Sequence, residues 1–188
     1  MTVRLRGMTP ADLPAVLGLE RELFPDDAWT PQMFASELRG VPASRYYLVA
    51  DDDGQIAGYA GLLAPPLRAA RRRPGGQADV LTMAVATTRW GQGIGSALLA
   101  ALLAEAAARG CAEVFLEVRV DNPRAQRLYR RFGFADAGLR RGYYQPSGTD
   151  ALVMRLPLDP AGFGSAAGQA DAAQPSPAPP RSISGRRS

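Results

Sequence analysis

Several residues in this chain are of a type and spacing that could do chemistry. Gln92-Gly93-Ile94-Gly95 stands between a strand-like apolar run and a long stretch rich in alanine and leucine. Successive backbone N–H groups at a helix start can hold an anion, and glycines let it approach closely. The same glycines can equally do no more than fold a helix tightly against a strand. Glu117 lies near the end of an apolar run, where a carboxylate is costly unless it faces solvent or is used as a proton acceptor. Tyr129 reads either as a core aromatic or as a phenol that can donate a proton. Asn122, just ahead of Pro123, is spelled like a helix N-cap. Trp29, Tyr143 and Tyr144 are either ordinary rim aromatics or the lining of a cleft, and Cys111, one residue after Gly110, reads as structural.

The inventory excludes more than it includes. The chain has no histidine and no lysine, so all 22 of its positive side chains are arginine. Histidine-dependent triads and zinc sites, Walker A phosphate loops and pyridoxal Schiff bases are thereby removed. A dinucleotide fingerprint fits poorly, because starting it at Gly91 would require glycine or alanine at Ser96. Any proton-transfer chemistry must use Asp, Glu, Tyr, Cys or water, and no metal is called for. The net charge of +4 is not spread over a face. Residues 64–79, with Arg68 and Arg71-Arg72-Arg73 against Asp79, hold +3, the tail from 159 holds +1, and the rest is neutral. That pattern argues against a dedicated nucleic-acid module and leaves the arginine run as a solvated loop, with contact to a ribosomal or RNA partner as the alternative.

The 188 residues suffice for one well-buried domain. No apolar run approaches membrane-spanning length and the start lacks a secretory segment, so a soluble, intracellular protein is expected; a lone cysteine suits that. Periodicity ends at Leu156-Pro157-Leu158, and 21 of the last 30 residues are Ala, Gly, Pro or Ser. The expectation is one domain over 1–158 and a disordered tail over 159–188.

Within the domain the pattern predicts a strand near Val3–Gly7 and a helix over Pro10–Glu22 with Leu13, Val16, Leu17 and Leu19 inward. A second helix starts after Thr30, with Pro31 at its first position. Strands at Tyr46–Asp51 and Ile56–Leu63 flank a hairpin turn, Asp52-Asp53-Gly54-Gln55. A strand at Val80–Ala86 leads through the glycine turn into a helix ending near Arg109, with Ile94, Leu98 and Leu102 as its buried stripe. A strand at Glu113–Val118, a helix at Arg124–Phe132 stopped by Gly133, and strands at Phe134–Arg141 and Ala151–Leu156 complete a mixed α/β layer with the glycine turn in its middle.

At this point the sequence resembles the GNAT acyltransferases, whose cofactor motif is Gln/Arg-x-x-Gly-x-Gly/Ala. Here it reads Trp90-Gly91-Gln92-Gly93-Ile94-Gly95, departing at the first position, with Arg89 one residue early. Leu116-Glu117-Val118-Arg119, Asn122, Leu128-Tyr129 and Phe132-Gly133-Phe134 stand in family order. Phe24-Pro25, Trp29 and Arg140-Arg141-Gly142-Tyr143-Tyr144 narrow the similarity to the RimI type, which acetylates the N-terminal alanine of small-subunit ribosomal protein eighteen. The resemblance covers about residues 3–158. It implies a mostly antiparallel central sheet flanked by helices, acetyl-CoA as co-substrate and a ribosomal protein N-terminus as acceptor. It also implies a cytoplasmic protein, monomeric or weakly dimeric, that works without a membrane. By the same resemblance Glu117 is the general base and Tyr129 the general acid. The main chain of Met83, Ala84 and Val85 and the side chain of Asn122 meet the pantetheine arm, Gln92, Gly93, Ile94, Gly95 and Ser96 hold the pyrophosphate, and Trp29, Tyr143 and Tyr144 line the acceptor cleft. Asp26 and Asp27 beside Trp29 would suit a basic acceptor. Two alternatives stand beside this reading: a GNAT enzyme of a small amine or of another protein N-terminus, and a non-catalytic acyl-CoA-binding, ribosome-associated module.

Overall fold

The computed structural model describes residues 3–26, 28–65 and 75–158. The arginine run and the C-terminal tail lie outside the described residues. Eleven α and β elements follow one another: β1 (Arg4–Gly7), α1 (Leu13–Leu23), α2 (Pro31–Leu38), β2 (Arg45–Asp52), β3 (Gln55–Leu63), β4 (Gly76–Val85), α3 (Ile94–Ala108), β5 (Cys111–Arg119), α4 (Pro123–Arg131), β6 (Ala135–Tyr144) and β7 (Thr149–Pro157). The seven strands form one sheet in the order β1-β2-β3-β4-β5-β7-β6. Every neighbouring pair is antiparallel except β4 and β5, which run parallel because α3 carries the chain back across the sheet between them.

Local chemistry sets most element ends. Thr30 Oγ1 accepts from the Met33 amide at 3.3 Å and Pro31 fills the first helical position of α2. Asp53 and Gly54 both take positive φ in the β2–β3 hairpin, the geometry that matches strand twist, and the Gly54 amide donates to Asp51 Oδ1 at 2.7 Å. The first predicted helix begins differently. Pro10–Asp12 form a 3₁₀ turn, with Asp12 Oδ2 accepting from both the amide and the hydroxyl of Thr9, and the α-helix proper starts at Leu13.

Alternation along the central strands divides the core between the two faces. Leu48 and Ala50 of β2 face α3, while Tyr47 and Val49 face α1 and α2. On the α3 side, Leu98, Leu99, Leu102 and Leu103 are all fully buried, so the helix carries two buried rows rather than the single predicted stripe. At about 2 kcal/mol per buried leucine, these four are a large share of what holds α3 to the sheet. β4 also starts earlier than its predicted Val80. Gly76–Asp79 look like turn residues in isolation, yet they pair with the parallel strand β5 from Cys111 to Phe115, and that non-local ladder makes them strand.

Candidate functional site

Two irregularities in β4 create a site. The parallel ladder with β5 ends at Val80 opposite Leu116, although β4 continues to Val85 and β5 to Arg119. At the same place β4 is bulged against β3: Leu62 pairs with Val80 and Gly61 with Thr82, leaving Leu81 as the extra residue. The bulge switches which residues face α3, from Ala78 and Val80 before it to Met83 and Val85 after it. The strands part around a narrow cleft, open to solvent and lined by Val80, Leu81, Thr82 and Met83 on one side and Leu116, Glu117 and Tyr129 on the other. Beyond Val80 the β5-facing edge of β4 has no strand partner among the described residues, so an extended ligand arm can add there as a strand would.

From the end of β4 the chain runs through a short turn at Thr87–Arg89 to the start of α3. Gly91 and Gly93 adopt φ of +85° and +78°, and no side chain caps the helix. The first intrahelical bond runs from the Ala97 amide to the Gly93 carbonyl at 2.9 Å, so the amides of Ile94, Gly95 and Ser96 precede it and are available to an anion. Ser96 Oγ is buried there with no hydrogen-bond partner among the described residues. Nothing lies within 4 Å of where a Gly93 Cβ would stand. A pantetheine arm beside β4 ending in a pyrophosphate at α3 fits this donor set.

The departure at the first motif position has a structural role. The Trp90 indole N–H donates to the Val85 carbonyl at 3.0 Å, and the Arg124 guanidinium sits over its ring at 4.0 Å from the centroid. Trp90 thereby ties the end of β4 to the start of α4. Arg89 does not substitute for the missing Gln or Arg, because it forms an ion pair with the buried Asp52 at the hairpin.

Glu117, on β5, is partly buried, with 22% of its side chain exposed. Burial pushes its carboxyl above the ordinary range; Arg140 opposes that and Asp79 adds to it. Its Oε1 lies 3.2 Å from Arg140 Nη2. Tyr129, on α4, packs edge-on to Phe134 with centroids 5.8 Å apart, and burial raises its hydroxyl well above the tyrosine range. It is therefore a neutral phenol at any physiological pH. Asn122 Oδ1 accepts from the Ala125 amide at 3.1 Å, the N-cap that starts α4 and so orients Tyr129 two turns on.

Tyr143 and Tyr144, at the end of β6, meet edge to face at 5.1 Å. Tyr144 is buried, and its hydroxyl is pushed upward first by burial and then by Tyr143, Tyr129 and Glu117, which puts these four groups in one neighbourhood. Trp29 belongs elsewhere. It is 3% exposed, packs at a tilt against Phe34 with centroids 5.0 Å apart and receives its place from Glu20, whose Oε2 accepts from the Trp29 amide at 3.0 Å. It sits in the core between the sheet and helices α1 and α2, not beside the tyrosine pair. Asp26 is exposed nearby, and Asp27 lies outside the described residues. Cys111 is buried at the far end of β5 and burial raises its thiol, which makes it a packing residue. The bulge at Leu81 and the Arg140 contact were not deducible from pattern: no residue type marks the first, and the second joins residues 23 positions apart.

Comparison with known proteins bears on this geometry. Residues 13–134 match the acetyltransferase (GNAT) family. The chain is similar to the N-alpha-acetyltransferase RimI of Mycobacterium tuberculosis, 41% identical over 154 residues that cover 81% of this chain and 91% of that protein. It is similar to the ribosomal protein bS18 alanine N-acetyltransferase of Escherichia coli, 32% identical over 158 residues, with 82% and 97% covered. A crystal structure of an Escherichia coli ribosomal-protein alanine N-acetyltransferase superposes with a TM-score of 0.71 at 30% identity, covering 87% of this chain and 98% of that one.

Proposed function

We infer what this site does from one premise: the chain belongs to the GNAT acetyltransferase family and is an acyltransferase. The proposed reaction is direct transfer of acetyl from acetyl-CoA to the N-terminal alanine of a ribosomal protein, the substrate class carried in the names of its relatives. The observation that carries this reading is the parting of β4 and β5, which puts a free strand edge, a carboxylate and a phenol around one cleft, on the strand that runs on to the glycine turn at the start of α3.

The chemistry follows from the groups present. The acceptor arrives as an ammonium and must lose a proton before its nitrogen can attack the thioester carbonyl; the Glu117 carboxylate, directly or through a water, accepts it. The N–C bond forms as the carbonyl becomes a tetrahedral oxyanion, and the C–S bond breaks on collapse, releasing CoA as a thiolate. Tyr129 meets that sulfur as a donor. The burial that keeps the phenol neutral also makes a full tyrosinate costly, so its contribution is a hydrogen bond that strengthens as charge builds on sulfur, while the proton that turns the thiolate into a thiol is the second one, shed by the attacking nitrogen as the amide forms. Holding acceptor and thioester together in the cleft supplies the largest remaining advantage, the avoided entropy of a bimolecular encounter.

The test is incubation with acetyl-CoA and a panel of N-terminal peptides, polyamines and aminoglycosides, read by mass spectrometry. The reading predicts one acetyl group on the alanine-initiated ribosomal peptide, preferred over the other acceptors. Acetylation of small amines with none of the alanine peptide would overturn the acceptor assignment, and thioester binding without transfer to any amine would overturn the enzyme.

A further inference from the structure

Arg140 contacts the cleft carboxylate Glu117 and has no part in the chemistry above. It projects from β6, which is separated from β5 by β7, yet its guanidinium reaches across that strand to Glu117. The register explains how: Glu117 is opposite Val153, Val153 is opposite Gly138, and Arg140 lies two residues beyond Gly138 on the same face. The Arg140 side chain is 56% exposed, and its guanidinium sits over the Tyr143 ring at 5.6 Å from the centroid. Two carboxylates, Glu117 and Asp79, act on this spot, Tyr129 and Tyr144 beside it are neutral phenols, and the nearby cation Arg119, 5.3 Å from the Tyr144 ring centroid, is itself paired with Asp121. The cleft therefore favours a cation at Glu117, and the acceptor enters as one.

We propose that Arg140 occupies the acceptor's amine subsite in the unliganded enzyme, so that acceptor binding exchanges the Arg140 guanidinium for the substrate ammonium on Glu117. The inference rests on Glu117 being the base. Arginine suits the position because it stays protonated and cannot act as an acyl acceptor itself. A primary amine in the same place would be a substrate held in cis. The rest of the chain is consistent with that requirement, since it contains no lysine.

The absence of lysine makes the test clean. Arg140→Lys incubated with acetyl-CoA and no acceptor is expected to become acetylated at position 140, located by peptide mapping, leaving the N-terminal amine as the one other amine to score. A variant that acetylates an alanine-initiated peptide, or spermidine if the peptide gives no product, while position 140 stays unmodified overturns the inference and leaves the function standing. Equal labelling of position 140 in the Glu117→Gln, Arg140→Lys double variant sinks the base reading and this inference with it. Kinetics give a second readout. Arg140→Gln should lower the acceptor KM about two- to fivefold, the range for loss of one exposed ionic competitor. Because Arg140 holds the free Glu117 carboxyl down, its removal should move the acid limb of kcat/KM to higher pH. The limb of kcat should stay fixed, since the guanidinium has already left in the complex. A shift of both limbs would mean that Arg140 stays on Glu117 throughout turnover, which contradicts an exchange.

Discussion

Replacing Glu117 by Gln removes the proton acceptor while keeping the shape of the side chain. The cost to the fold is small. The pair it breaks joins a 22%-exposed carboxylate to a 56%-exposed guanidinium, which is worth on the order of 0.2–1 kcal/mol, or at most about 4 °C in Tm for a domain of this size. The cost to catalysis is large, because a positioned base contributes about 10²–10⁴-fold, equivalent to about 2.7–5.5 kcal/mol of barrier. Steady-state rates with acetyl-CoA and acceptor peptide, measured across pH, check both halves. Burial raises the Glu117 carboxyl, so the wild-type acid limb of kcat/KM should lie above the ordinary carboxylate range and activity should fall as pH drops through it. In Glu117→Gln the limb should disappear along with most of the rate. A variant with near-normal kcat/KM, or with the same acid limb, would refute the reasoning.

Tyr129→Phe should lower kcat about 10²–10³-fold with little change in acetyl-CoA KM, since only the leaving sulfur needs the hydroxyl; full turnover by a folded variant would exclude the donor role. Gly93→Ala introduces no clash, as nothing lies within 4 Å, but it places an alanine at φ +78°, which costs about 1–2 kcal/mol and displaces the helix-start amides. Its acetyl-CoA KM should rise while kcat at saturation holds, and an unchanged KM would remove the pyrophosphate from that turn. Arg6 holds the Asp12 carboxyl down from 3.8 to about 2. A depressed folded value means stability present above 3.8 and lost as pH falls toward 2, so Asp12→Asn should destabilise the protein by about 1–2 kcal/mol at neutral pH and flatten its acid denaturation curve. Parallel curves for variant and wild type would show that the pair contributes nothing.

The sequence was most legible where local chemistry decides structure. The Thr30-Pro31 start of α2, the Asp53-Gly54 turn and the Gly110 and Gly133 stops each use one residue's backbone preference, and each appears in the structure at its predicted place. It was least legible where the partner is distant. Gly76–Asp79 become strand through pairing with β5, and β7 inserts between β5 and β6 through contacts that no window of the sequence contains. The same division runs through the site. The glycine turn is readable as an anion-binding helix start, but Glu117 and Tyr129 read from position alone as ordinary strand and core residues, and their catalytic roles came only with the family resemblance; the structure puts both on one cleft. Trp29 shows the opposite failure: an aromatic next to acidic residues looks like a rim residue, and only the packing of Phe34 over it shows that it is core. Trp90 departs from the motif by type, and its indole bond to Val85 shows what the tryptophan does instead.

The account stands on acetyl-CoA lying between the parted strands, and amide hydrogen exchange with and without acetyl-CoA tests that directly. Binding should slow exchange at Thr82–Val85 on the open edge of β4 and at Ile94–Ser96 at the start of α3, with the paired edge β1 unaffected. Saturable acetyl-CoA binding that leaves both segments exchanging at their free rates would contradict it.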